Sequence, residues 1–101
     1  MTKFKETETI ELKKSTSELK EAAISMAAIL NKHGKGTVYF GIEDDGRIAG
    51  QQVGKSTVKD ISKLISDHID PKIFPDVKVQ KISGKDCIVV EFSGHEGLYS
   101  A

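Results

Sequence analysis

Six carboxylates fall in two groups around the strands expected below: Glu6, Glu8 and Glu11 precede or lie on the first, and Glu43, Asp44 and Asp45 follow the second. If both groups meet at one edge of a sheet, they form an oxygen-rich cluster of the kind that holds Mg²⁺ or Mn²⁺. Such an ion can grip a phosphate and activate water, which is phosphodiesterase chemistry. Spacing alone favours the other reading, in which the glutamates are a solvated arm and the aspartates form a turn beside Gly46.

A separate set of residues is cationic. Lys13 and Lys14 close the first strand, and Lys32 and Lys35 surround the glycines of Asn31-Lys32-His33-Gly34-Lys35-Gly36-Thr37. Glycines let backbone N–H groups approach an anion, yet the segment lacks the Walker pattern: Ile29 stands where that loop has its first Gly, and Gly36 where it has Ser or Thr. It also leaves a helix instead of opening one, so a helix C-cap with surface lysines is the simpler account. The functional alternative is phosphate contact through Lys13, Lys14, Lys32 and Lys35 beside Gly34 and Gly36, with Phe4 and Tyr39 as the nearby candidates for base stacking. His33, His68 and His95 have no ligand spacing, and Cys87 reads as a small core residue.

The elements that must position these side chains follow from periodicity. Residues 9–13 alternate as a half-buried strand. Ser15 and Glu18 have capping-box spacing, and Leu19, Ala22, Ala23, Met26, Ala27 and Leu30 form one helical stripe that ends near Asn31, with Gly34 as the stop. Thr37 to Ile42 is a buried strand, Asp45-Gly46 a tight turn, and residues 47–50 a short returning strand. A second helix runs from about Ser56 to Ile69, with Val58, Ile61, Ile65 and Ile69 on one face and Lys55, Lys59 and Lys63 on another, and Pro71 ends it. Two strands, Val77 to Ile82 and Cys87 to Phe92, flank a hairpin at Ser83-Gly84. The order β-α-β-β-α-β-β predicts an α+β class, a single-domain two-layer sandwich with a mixed sheet and two helices.

Composition sets outer bounds. The 101 residues carry 15 Lys+Arg and 15 Asp+Glu, so nucleic acid cannot be held by net charge and any such contact must be a local patch. Residues 1–35 hold seven Lys against five Glu, a small basic bias. No apolar run suggests a membrane span or a secretion signal, and one cysteine makes no internal disulfide; a cytoplasmic protein without membrane partners is expected.

Taken in order, Glu6-x-x-x-x-Glu11-Leu12-Lys13, Leu30-Asn31-x-x-Gly34-x-Gly36-Thr37-Val38-Tyr39-Phe40-Gly41-Ile42 and Asp44-Asp45-Gly46-Arg47-Ile48-x-Gly50 resemble a Schlafen-type AlbA domain. The resemblance continues through Ile69-Asp70-Pro71-Lys72-Ile73-Phe74-Pro75 to the strand Ile88 to Phe92. It departs where Ile29-Leu30-Asn31-Lys32 replaces Phe-Ala-Asn-Thr, where Lys35 splits the Gly pair, and where Leu98-Tyr99-Ser100 stands near a frequent Pro-Tyr. The resemblance implies a DNA- or RNA-binding domain over residues 1–101, an N-terminal part of a longer bacterial protein of transcriptional-regulator type, with further domains beyond Ala101. In the animal branch a related domain is an RNA endonuclease, and the positions matching its three metal-binding carboxylates are Glu6, Glu11 and Asp44. Mg²⁺ or Mn²⁺ would then be the cofactor and Lys13 would steady the scissile phosphate; the family pattern can also persist without the reaction. Nucleic-acid binding ranks first, metal-dependent cleavage second, and a protein-interaction domain that forms a homodimer through a sheet edge third.

Overall fold

A computed structural model of the chain describes residues 4–95 and 97–101. Its elements are β1 (Ile10–Lys13), α1 (Leu19–His33), β2 (Lys35–Phe40), α2 (Thr57–His68), β3 (Asp76–Ile82) and β4 (Lys85–Ser93), with a 3-10 turn at Thr16–Glu18 ahead of α1. The strands form one sheet in the order β1-β2-β4-β3. Only β1 and β2 run parallel, as a strand pair joined through a crossover helix can, and the other two pairings are antiparallel. The result is the expected α+β sandwich.

The stripe on α1 buries Ala22, Ala23, Met26, Ala27, Ile29 and Leu30. Its alanines bring the helix close to the sheet, where Val38, Phe40, Ile88, Val90 and Phe92 meet it together with Ile61, Ile65 and Ile69. A smaller cluster of Leu12, Ile42 and Cys87 lies on the opposite face, under Phe4, Ile10, Tyr39, Ile48 and Ile82. Burial pushes the Cys87 thiol pKa up, consistent with a packing residue.

Local chemistry sets the ends of the elements. Ser15 caps the 3-10 turn by accepting from the Ser17 N–H, and Glu18 reaches back to the Lys14 N–H at 3.1 Å, one residue beyond the expected capping-box partner. Gly34 ends α1 in the left-handed region at φ 81°, donating its N–H to the Leu30 carbonyl. The Asp45-Gly46 turn forms, with the Glu43 N–H on the Arg47 carbonyl at 2.8 Å. The expected returning strand at residues 47–50 is reduced to a single bridge between Ile42 and Ile48. Both the Ala49 and Gly50 N–H groups fold back onto the Gly41 carbonyl at 2.8 Å, so the segment curls instead of extending.

Candidate nucleic-acid interface

Register decides which candidate residues can act together. Lys13 lies opposite Phe40, at the far end of β2, whereas Lys35 opens that strand. Five residues of strand separate the two levels, roughly 17 Å at 3.3 Å per residue. Lys13 and Lys14 therefore stand at one end of the β1–β2 pair, and Lys32 and Lys35 at the other, where α1 exits. The expected group of four lysines is split into two pairs.

At the first end, carboxylates enclose a lysine. Glu11 and Lys13 are two residues apart on a strand and so share a face, and their side chains pair at 3.1 Å. Burial works against the charged form of Lys13, but the hydrogen bond and charge of Glu11, helped by the charges of Glu18 and Glu6, outweigh it and raise the ammonium pKa above its usual value. Glu6 also accepts from the Leu12 N–H at 3.2 Å. Asp44 is exposed and shares a shallow concavity with Phe4, Lys5 and Asp45. Among the described residues no three His, Cys, Asp or Glu side chains are arranged to hold a metal ion. In this arrangement the carboxylates of Glu6 and Glu11 serve the strand and its lysine.

The second end is more open. Lys32 pairs loosely with Glu8 at 3.4 Å with both side chains exposed, and His33 lies 3.9 Å from the same carboxylate. Lys32 and His33 also sit in the last turn of α1, where a helix favours positive charge. Lys35 is exposed and enters no ion pair among the described residues. The glycines beside it have structural duties. The Gly34 N–H is used on Leu30 and its carbonyl accepts from the Gly94 N–H at 2.9 Å. A Cβ on Gly36 would stand 2.7 Å from Ile29 Cγ2, 2.8 Å from the Thr9 carbonyl oxygen and 2.9 Å from Phe92 Cζ, so only glycine lets β1, α1 and β4 close around β2.

Lys35 borders a cleft of about 520 Å³ that crosses this end of the sheet from Thr9 on the β1 side to Asp76 on β3. Thr37 and Ser93 line it, as do Glu91 and Phe74. Its two acids are already engaged: Lys78 lies 3.2 Å from Glu91 and 3.9 Å from Asp76. The hydrogen bond and charge of Glu91, helped by the charge of Asp76, raise the Lys78 pKa above its usual value.

Two features of this end lie outside the reach of local pattern. Phe74 is 86% exposed, an unusual position for a large aromatic ring. Its sequence signal is an aromatic residue outside any periodic pattern in a proline-flanked loop. The expected stacking residues, Phe4 and Tyr39, instead pack edge to face on each other at 5.0 Å. The other feature is a clip in which Asn31 donates to the Tyr99 carbonyl at 2.9 Å and accepts from the Tyr99 N–H at 2.6 Å. It ties the last residues to α1, and Ser100 bridges to Asp70. The remaining histidines do not join either end as a group: His68 bonds the Leu64 carbonyl on α2, and His95 is exposed after β4.

Residues 6–97 match the family model described as Schlafen, AlbA_2. The chain belongs to this Schlafen AlbA_2 family. Among solved structures, the DIP2311 protein from Corynebacterium diphtheriae is similar over 97% of this chain at 22% identity with a TM-score of 0.74. The chain spans 20% of that protein's solved chain. The N-terminal domain of a protein from Nitrosomonas europaea, named as related to the ATP-dependent DNA helicase RecG, is similar over 92% of this chain and 67% of its own, at 21% identity and a TM-score of 0.71. Both likenesses concern the fold. No curated protein matches the chain. Among the described residues no helix of this AlbA_2 domain is long and apolar enough to cross a membrane.

Proposed function

We propose that this AlbA_2 domain binds nucleic acid at the end of the sheet where α1 exits, with Lys32 and Lys35 meeting phosphates beside Gly34 and Gly36. The observation that carries this reading is the contrast between Lys35, exposed and outside every ion pair among the described residues, and Lys13, enclosed by carboxylates. A lysine already facing three glutamates has little field left for a phosphate, whereas an unpaired one releases counterions on contact. Family membership and the DNA-helicase-related name of the Nitrosomonas europaea protein support the same class of partner. Such a domain docks a larger protein, a transcriptional regulator among them, on DNA or RNA.

Fluorescence anisotropy with single- and double-stranded DNA and RNA, each at two salt concentrations, tests the proposal. Binding that weakens steeply with salt is expected for at least one of the four. Absence of binding to all four at low salt overturns it.

A further inference from the structure

The cleft beside Lys35 carries a feature that phosphate contact does not need. Phe74 stands at its β3 side with 86% of its surface in water, while the apolar residues around the nearby core are buried. Lys35 stands on β2, two strand spacings away in the order β2-β4-β3, which is about 10 Å. Between them, on β4, lie Ser93 and Glu91, and Thr37 lines the cleft two residues along β2 from Lys35; the two hydroxyls can donate or accept. One ammonium, Lys78, serves both acids of the cleft, Glu91 at 3.2 Å and Asp76 at 3.9 Å, so with Lys35 the four charges balance, and Lys35 is the cleft's cation that enters no ion pair among the described residues.

An exposed aromatic ring, an exposed cation in no ion pair among the described residues across a short polar floor, and an open cleft match what an unpaired nucleotide offers: a flat base on one side and a phosphate on the other. A duplex keeps its bases stacked on each other and gives such a ring nothing to stack on. Resting on the proposed nucleic-acid binding, we infer that the cleft takes a single-stranded segment, with one base stacked on Phe74 and its backbone phosphate on Lys35. The hydroxyls of Thr37 and Ser93 then face the sugar or base edge.

The test compares wild type with Phe74→Ala, Phe74→Leu, Phe74→Trp and Lys35→Ala on a single-stranded oligonucleotide, a duplex of the same sequence and a free nucleoside monophosphate. Phe74→Ala is expected to weaken single-strand binding by roughly 5- to 100-fold, the range of one lost base stack. Phe74→Leu, which keeps apolar bulk without a π-face, loses a similar amount, and Phe74→Trp retains binding. Because the ring is so exposed, all three melt like wild type, which keeps a folding defect from imitating the result. Lys35→Ala lowers the salt slope by about one, and duplex binding does not change with residue 74. Wild-type binding that is indifferent to all four substitutions overturns this inference while leaving the broader function standing. So does a ring-dependent response confined to the free nucleotide. A wild type that binds no oligonucleotide removes the broader reading first.

Discussion

Lys13 and Lys35 are the same residue type on neighbouring strands, and the two ends of the sheet use them in opposite ways. Lys13 sits at the end of β1 with Glu11 on its own face and Glu18 and Glu6 near enough to raise its pKa. Lys35 opens β2 beside a helix C-terminus and a cleft whose acids are already paired with Lys78. The first lysine neutralises a local excess of carboxylate; the second leaves a charge available to a partner. Counting lysines along the chain does not distinguish them, since what matters is the field each one enters. One end pairs its lysine with a neighbouring carboxylate, and the other leaves Lys35 outside the ion pairs of the described residues.

The largest effect that sharpens this contrast is structural. Gly36→Ala forces a methyl group against Ile29, the Thr9 carbonyl and Phe92, and backbone and ring cannot both move away cheaply. A loss of about 1–3 kcal/mol is expected, read as a lower midpoint in chemical unfolding. A midpoint equal to wild type would mean that this end of the sheet is looser than the packing around Gly36 requires.

A smaller effect belongs to the carboxylate end. Lys13→Met leaves Glu6, Glu11 and Glu18 without their common cation, and a loss on the order of 1 kcal/mol is expected at pH 7. The raised Lys13 pKa gives the sign in wild type: its contribution is complete below the ordinary lysine value of 10.5 and is lost as pH rises through the higher folded value. Wild type and Lys13→Met therefore converge in stability under strongly alkaline conditions. Unfolding midpoints followed from neutral to strongly alkaline pH check this; a constant gap between the proteins would break the comparison.

Much of the fold was legible because its signals are local. The α1 stripe, the Gly34 stop, the Asp45-Gly46 turn and the hairpin at Ser83-Gly84 all rest on residues within a few positions of each other. The expected strand at residues 47–50 failed because hydrogen bonds to Gly41 compete with extension, which short-range β propensity does not register. The site was harder to read. The lysines at 13, 14, 32 and 35 look close in a basic stretch, but the parallel register of β1 on β2 sends them to opposite ends. Phe4 and Tyr39 looked free to stack until the fold paired them, and Phe74 looked like connecting loop until the cleft formed beside it. The enclosure of Lys13 depends on Glu18 from the turn before α1, and the Asn31–Tyr99 clip joins residues 68 positions apart. These are tertiary facts with no local signature.

The most direct test of the division between the ends is the salt dependence of oligonucleotide binding in two variants, Lys32→Ala/Lys35→Ala and Lys13→Ala. With Lys32 and Lys35 removed, affinity falls and the slope of log K against log salt decreases by about two, one for each lost phosphate contact. With Lys13 removed, the slope stays within about half a unit of wild type. The reverse pattern, a slope that collapses only when Lys13 is absent, contradicts the account.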